Sequence, residues 1–341
     1  MAALARNSNS NNFRPGSNNL RDAALAPATI LTYTSNFNGF LSFAKLSPAQ
    51  FRLEPVAELD QQLALYIEHL YTIGRPFDSA SHALNAVVFN RPAMRSSIGE
   101  SRLRLRGWQR GRTCESHPPL TWELTVLIAV TMSRSGFHSS AIGMLLSFDC
   151  YLRVGELQRL TRGDIVMPND PRMGSAYTAM ALRLGRTKTG LNQFVTVERR
   201  VVAELLRFWI DSTSVGSQPS DSAFPFTAAH FRNLMRSTVH ALGLGHIPYV
   251  PHSLRHGGAT AANLRGATIE QIMQRGRWAV MKSASRYIQS GRALLVMQQI
   301  PAHLNELGIQ FDGRLSSIIR HLTFTVPLQI TSRRQQFQFQ P

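Results

Sequence analysis

Pro251-His-Ser-Leu-Arg-His-Gly-Gly-Ala-Thr260 is the stretch on which the reading of this chain turns. A proline opens it, as at the first turn of a helix, and the pattern that follows predicts a helix over 252–264. His252 and Arg255 stand three apart, so both project from one helical face. A guanidinium brings a fork of donors and a fixed charge, and an imidazole donates or moves a proton near neutral pH. Together they suit a phosphate. Taken alone, the pair is commonplace.

Upstream, Tyr151-Leu-Arg-Val-Gly-Glu-Leu157 sets Arg153 just before a glycine, with Glu156 three residues on. This is either a second phosphate arginine fixed by a carboxylate, or a surface ion pair worth little. Residues 181–184 and 194–197 alternate with period two about Gly-Arg-Thr-Lys-Thr-Gly, which predicts a β-hairpin with Arg186 and Lys188 near its tip. Downstream, Arg275-Gly-Arg-Trp278 leads to Met281-Lys-Ser-Ala-Ser-Arg-Tyr287-Ile. A tyrosine here is core by default. It is a nucleophile if its phenol faces phosphorus and its proton has somewhere to go.

The whole chain has 341 residues, 43% of them apolar, enough for two domains with real cores. Its net charge is +17. A polyanion is the natural partner, nucleic acid first and an acidic membrane surface second. Only Lys45, Lys188 and Lys282 are lysines among 37 basic residues. A lysine retained at a chemical position therefore stands out, because it can give up a proton and arginine cannot. Cys114 and Cys150 are too few for a disulfide framework or a Cys-rich zinc module and suit a reducing, intracellular setting. No apolar run reaches the ~18 residues of a membrane span. Paired carboxylates for a two-metal site and a Walker-type loop are both lacking, so neither metal nor cofactor is expected.

Residues 1–24 read as an Asn/Ser-rich disordered tail without the apolar segment of a secretory signal. Residues 25–110 read as a bundle of about four helices. One runs from Ala26 through Ile30, Tyr33, Phe37, Phe40, Leu41 and Ala44; one is opened by Pro55; the others span 79–90 and 97–108. Residues 111–119, polar, basic and closed by two prolines, read as a linker. Helices follow at 121–132, 139–151, 155–160, 199–211, 227–242, 252–264, 268–274 and 281–298. The fold class is mainly α with a small β-hairpin. Residues 301–341 form a mixed C-terminal segment.

Arg153, Glu156, Lys188, His252, Arg255, Trp278 and Tyr287 occur in the order and spacing of the tyrosine recombinases, the phage-integrase family, and the chain resembles that family over most of its length. The resemblance implies a helical core-binding domain over 25–110 and a catalytic domain over 120–300. It implies that Tyr287 attacks a scissile phosphate to form a 3′-phosphotyrosyl bond, and that Arg153 and Arg255 neutralise the developing charge. His252 would assist proton transfer and Lys188 would protonate the leaving 5′-oxygen. Glu156 would orient the site. Trp278 stands where many members carry a second histidine and others carry Trp, whose indole N–H can donate.

The same resemblance implies double-stranded DNA as partner, a monomer in solution and a homotetramer on two DNA sites, with 301–341 packing on a neighbouring protomer. Arg102, Arg104, Arg106, Arg110, Arg112, Arg186 and Arg277 are candidate DNA contacts, mostly to phosphates. His240, His246 and His256 read as structural or DNA-facing. Gly-Arg-Trp with Arg-Tyr-Ile looks more like the recombinases of eukaryotic mobile elements, which would place the protein on DNA in a nucleus. Two rivals remain at this point: a type IB topoisomerase-like enzyme, and a catalytically idle DNA-binding protein derived from a mobile element.

Overall fold

The computed structural model describes residues 24–112, 117–168, 179–185 and 193–329. The expected tail through residue 23, Cys114, Arg186, Lys188 and the end from residue 330 lie outside this range. The chain divides into two compact units, Met1–Glu115 and Ser116–Pro341.

In the first unit, prolines punctuate the bundle. Pro27 begins α1 (Pro27–Ala44) and Pro48 begins α2 (Pro48–Leu53), while Pro55 and Pro76 sit immediately before α3 (Val56–Thr72) and α4 (Phe77–Asn90). Each proline presets φ at a position whose N–H has no helical acceptor. A 3-10 turn over Pro92–Ser96 leads into α5 (Gly99–Arg110). Phe40, Phe51, Leu59, Leu63, Ile67, Val87, Met94 and Ile98 form the core. Asp60, buried on α3, accepts the backbone N–H of Glu100 and of Ser101 at 2.9 and 3.0 Å. It thereby caps α5 from a neighbouring helix, satisfying donors that the first turn leaves unpaired.

Thr121 caps the first helix of the second unit, accepting from Leu124 N–H at 3.2 Å. That helix, α6 (Trp122–Arg134), packs on the almost wholly buried α7 (His138–Asp149), and α8 (Val154–Arg159) follows. The strands β1 (Ile165–Val166), β2 (Ala181–Arg183) and β3 (Phe194–Thr196) form an antiparallel sheet in that order, with Leu182 opposite both Ile165 and Val195. The hairpin is as expected; β1 is an addition. Helices α9 (Arg200–Ser212), α10 (Ala228–Ala241), α11 (Pro251–Leu264) and α12 (Ile269–Gly276) complete the frame of the site. The molecule is thus mainly α with a small sheet.

Two features differ from the sequence expectation. The helix expected over 281–298 is two, α13 (Met281–Ser285) and α14 (Ser290–Met297), with Tyr287 in the break. Thr260 on α11 holds that break open: its hydroxyl donates to Tyr287 O at 3.1 Å and accepts from Gln289 N–H at 3.0 Å. The linker ends earlier than 119, because Pro118, Pro119 and Leu120 are buried and Leu120 N–H donates to Ser253 O at 3.1 Å. In the described part of the C-terminal segment, α15 (Ala302–Asp312) and α16 (Leu315–Thr325) pack on α6 of their own unit. Leu304, Leu315 and Ile319 enter the same core as Leu124 and Leu127. Trp122 Nε1–H donates to Asp312 Oδ1 at 2.8 Å, fixing that contact.

Candidate active site

Four backbone features bring distant residues together. The first is the end of α7, where Tyr151 turns the chain with φ +50°, a left-handed conformation uncommon for a residue with a Cβ. This reversal makes Arg153 the N-cap of α8. The Arg153 backbone N–H donates to Glu156 Oε2 at 2.9 Å, and its Nη1–H donates to Oε1 at 2.6 Å. Glu156 is buried.

The second is the start of α11. Arg255 is 0% exposed there, the largest fully buried side chain among the described residues. It donates to the carbonyls of Tyr151 and Gly276, the latter at 2.6 Å, and lies 4.0 Å from Glu156 Oε2. Burial, then the neighbouring guanidiniums of Arg153 and Arg277, push its pKa down from the ordinary arginine value, and a guanidinium's high intrinsic basicity leaves it charged at neutral pH.

The third is the end of α12. Gly276 has no Cβ, and one placed there would overlap the six-membered ring of Trp278. The indole can therefore fold back over the helix end, 4.5 Å from the Arg255 guanidinium and 4.5 Å from the centre of the Tyr287 ring. Neither the Trp278 Nε1–H nor the Arg255 Nε–H, both buried, has an acceptor among the described residues. Buried donors ordinarily have one.

The fourth is the break before α14. It presents the Tyr287 phenol 3.1 Å from His252 Nε2. His256 stacks on the same ring at 4.6 Å and 26°, and its Nδ1 is 3.0 Å from Gln289 Nε2. Burial first, then the Arg255 charge, pushes His252 down to about 4. Burial and then His252 do the same to His256. Both imidazoles are neutral at pH 7, so with Nδ1 protonated, His252 Nε2 can accept the phenol hydrogen.

The site is electropositive. Glu156 is flanked by Arg153, Arg255 and Arg277, three guanidiniums on one carboxylate. Burial alone would raise Glu156; Arg277 and then Arg153 outweigh it and hold the carboxyl below its ordinary value. The nearby Arg275 is neutralised separately, by Asp149 at 3.3 Å and by Glu198. An excess of positive charge in a partly desolvated cleft calls for an anion.

The structure brings Arg153, Glu156, His252, Arg255, Trp278 and Tyr287 into one site. Lys188 and Arg186 lie outside the described residues. Arg102, Arg104, Arg106, Arg110 and Arg112 are exposed in the first unit. Arg277 differs from its expectation as a surface DNA contact: it is 8% exposed and its guanidinium points inward to Glu156 at 3.0 Å. The reason is its backbone, whose left-handed φ of +56° turns the side chain under the helix end. His256, expected only as a structural or DNA-facing residue, and Thr260 both belong to the site. Their signal was spacing, since 252, 256 and 260 lie along one stripe of α11.

Comparison with known proteins places this geometry. The model of the phage integrase family matches residues 123–293. Among solved structures, a lambda integrase dimer bound to a COC′ core site aligns with TM-score 0.54 and 15% identity, covering 80% of this chain and 92% of that one. The Tn1549 transposon integrase in complex with circular intermediate DNA aligns with TM-score 0.53 and 13% identity, covering 71% and 86%. A search of curated proteins returned no match. With a family match over half its length and the Arg–His–Arg–Tyr constellation assembled in one cleft, the chain belongs to the phage integrase family, the tyrosine recombinases.

Proposed function

We propose that this protein is a site-specific DNA recombinase that cuts and rejoins duplex DNA through Tyr287. The observation that carries the reading is the Tyr287 phenol, hydrogen-bonded at 3.1 Å to a neutral His252, beside the buried Arg255 guanidinium. The phenol oxygen attacks phosphorus and its proton passes to His252 Nε2. The bond to the 5′-oxygen breaks, and a 3′-phosphotyrosyl link remains. Arg153 and Arg255 neutralise the non-bridging oxygens as charge builds, the effect that usually dominates such catalysis. The Trp278 Nε1–H supplies a further donor. Lys188, by resemblance, returns a proton to the departing 5′-oxygen, and attack by a new 5′-hydroxyl reverses every step. The phosphotyrosyl bond conserves the energy of the one it replaces, so neither ATP nor a metal is required.

The first unit supplies backbone contacts. Arg102, Arg106 and Arg110 share one face of α5, spaced by four, and are exposed. Arg104 and Arg112 flank them, and Arg186 is a further candidate contact by resemblance. The protein acts as a homotetramer on two sites and is a monomer off DNA; its place is on DNA, in the nucleus where the host is eukaryotic.

A covalent trap tests this. The protein is incubated with a pool of nicked duplexes, denatured, and mapped by mass spectrometry. An adduct on Tyr287, lost in Tyr287→Phe with DNA binding retained, supports the reading. Tight, salt-sensitive binding with no adduct on any duplex would leave an idle DNA-binding protein. Relaxation of supercoiled DNA lacking any specific site would move it to the topoisomerase-like class.

A further inference from the structure

We propose that Arg277 is a positioning residue of this site: it anchors the Glu156 carboxylate from below, and Glu156 in turn sets Arg153 and Arg255. The inference rests on the phosphotransfer reading above and deepens it.

Two features of Arg277 are unfavourable taken alone. Its φ of +56° is a left-handed conformation that is strained for a residue with a Cβ, and a helix end of this kind normally takes glycine. Its guanidinium is also withdrawn from water, with a side chain only 4% exposed. The hydrogen bonds it makes account for both. Nη2–H donates to Glu156 Oε2 at 3.0 Å and to Tyr151 O at 3.2 Å. Nη1–H donates to Cys150 O at 3.3 Å and to Arg275 O at 3.2 Å. One side chain thus ties the end of α12, the carbonyl end of α7 and the Glu156 carboxylate together.

Arg153 and Arg277 divide the carboxylate between them. The Arg153 guanidinium holds Oε1, and its side chain is 24% exposed, open to a ligand. The Arg277 guanidinium holds Oε2 from the closed side, beside the Arg153 backbone N–H. When a phosphate draws Arg153 toward itself, Arg277 remains to keep Glu156 charged and in place. The charged and titratable groups that face Glu156 are Arg153 from its own turn, Arg255 and His252 from α11, and Arg277 from the end of α12. Behind Arg277 lies the buried Cys150 thiol. Removing the charge at 277 leaves burial of Glu156 less opposed, so the carboxyl takes up a proton at higher pH.

The test is the single-turnover rate of covalent adduct formation on a saturating nicked duplex, measured across pH in the wild type, Arg277→Gly, Arg277→Gln and Arg277→Lys. Glycine suits the backbone, glutamine keeps a donor without charge, and lysine keeps the charge. The acid limb, set in the wild type by His252 near pH 4, is expected to move to higher pH in the Gly and Gln variants, where Glu156 becomes the first group to take up a proton, and to stay near wild type in Lys. A uniform fall at every pH, or no change, overturns the proposal, since a purely structural strut would move the ceiling and not the limb. If Arg277→Gly fails to melt cooperatively, Arg277→Gln carries the same expectation. A wild type that binds DNA but forms no adduct overturns the phosphotransfer reading, and this proposal with it; a wild type that reacts while the variants match it overturns the proposal alone.

Discussion

The phenol oxygen of Tyr287 and Nε2 of His252 lie 3.1 Å apart, though 35 residues separate them in the chain. The pair is useful as nucleophile and base only while the imidazole is neutral. Burial and Arg255 hold its pKa at about 4, well under the ordinary 6.5. Adduct formation should therefore persist through pH 6, where an ordinary histidine would be mostly protonated, and fall only toward pH 4. Replacing His252 with Gln should lower the rate by roughly 10²–10⁴. A wild-type rate that already halves near pH 6.5 would refute the assignment.

The same shift has a consequence for stability. His252 and His256 both drop to about 4 in the folded state from 6.5. Between those values the unfolded chain binds more protons, so stability rises with pH from about 4 to about 6.5 and is level above. The melting temperature should fall as pH drops from 7 to 5. The fall should shrink in a His252→Gln, His256→Gln double variant; an unchanged slope there would assign the acid sensitivity to other groups.

Gly276 should tolerate no side chain. A Cβ there would overlap the Trp278 ring, which is itself packed against Arg255 and Tyr287. Gly276→Ala forces the indole out of its place, an overpacking penalty of about 1–3 kcal/mol. The expected result is a melting temperature lower by several degrees and a slower adduct step with little change in DNA affinity. Because Trp278 emits, its displacement should also appear as a changed fluorescence maximum. Unaltered fluorescence with unaltered rate would mean the indole has room to move.

How much of this was legible in the sequence follows from what fixed each residue. Arg153, Glu156, His252, Arg255 and Tyr287 could be read because chemistry dictates side-chain type, and order in the chain survives divergence. Period-two alternation marked β2 and β3. The break at Tyr287 was not legible, because apolar residues at 284, 287, 288 and 295 continue a helical period through it, and only Thr260, far away in the chain, opens it. Arg277 was misplaced because its direction depends on a left-handed φ that its residue type does not advertise. The apolar stripes of α15 and α16 predict burial equally well in cis or in trans, and nothing in them names α6 as the surface they pack on.

The arginine stripe on α5 yields a prediction independent of the chemistry. Arg102, Arg106 and Arg110 are exposed and share one face, whereas Arg104 is paired at 3.6 Å with both Glu68 and Glu100. If the stripe contacts three phosphates, the triple alanine variant should lower the slope of log affinity against log salt by about 3. It should weaken binding equally on all sequences and leave melting unchanged, because exposed arginines contribute little to stability. Arg104→Ala should change the slope less. An undiminished slope in the triple variant would put the DNA on another face of the bundle.

The final prediction concerns α15 and α16. The two helices close over α6, where Gly308 lies so near the Glu123 carbonyl that a Cβ would collide with it. Beyond them His138 Nε2 meets Val326 O at 3.1 Å, and Gln329 N–H donates to Gly136 O at 3.2 Å. The described part of the segment, through residue 329, is held within its own unit, and light scattering on the full chain should report a monomer at micromolar concentration. Removing residues from 302 onward should uncover Leu124 and Leu127 and produce aggregation or a melting temperature lower by many degrees. A subtler variant, Asp312→Ala, strips one hydrogen bond from the Trp122 indole and should cost about 1–2 kcal/mol, the penalty for a buried donor left unpaired. If the truncated chain instead stays monomeric and melts as before, the packing of 302–325 on α6 is not what stabilises this unit, and those helices are available to a neighbouring protomer.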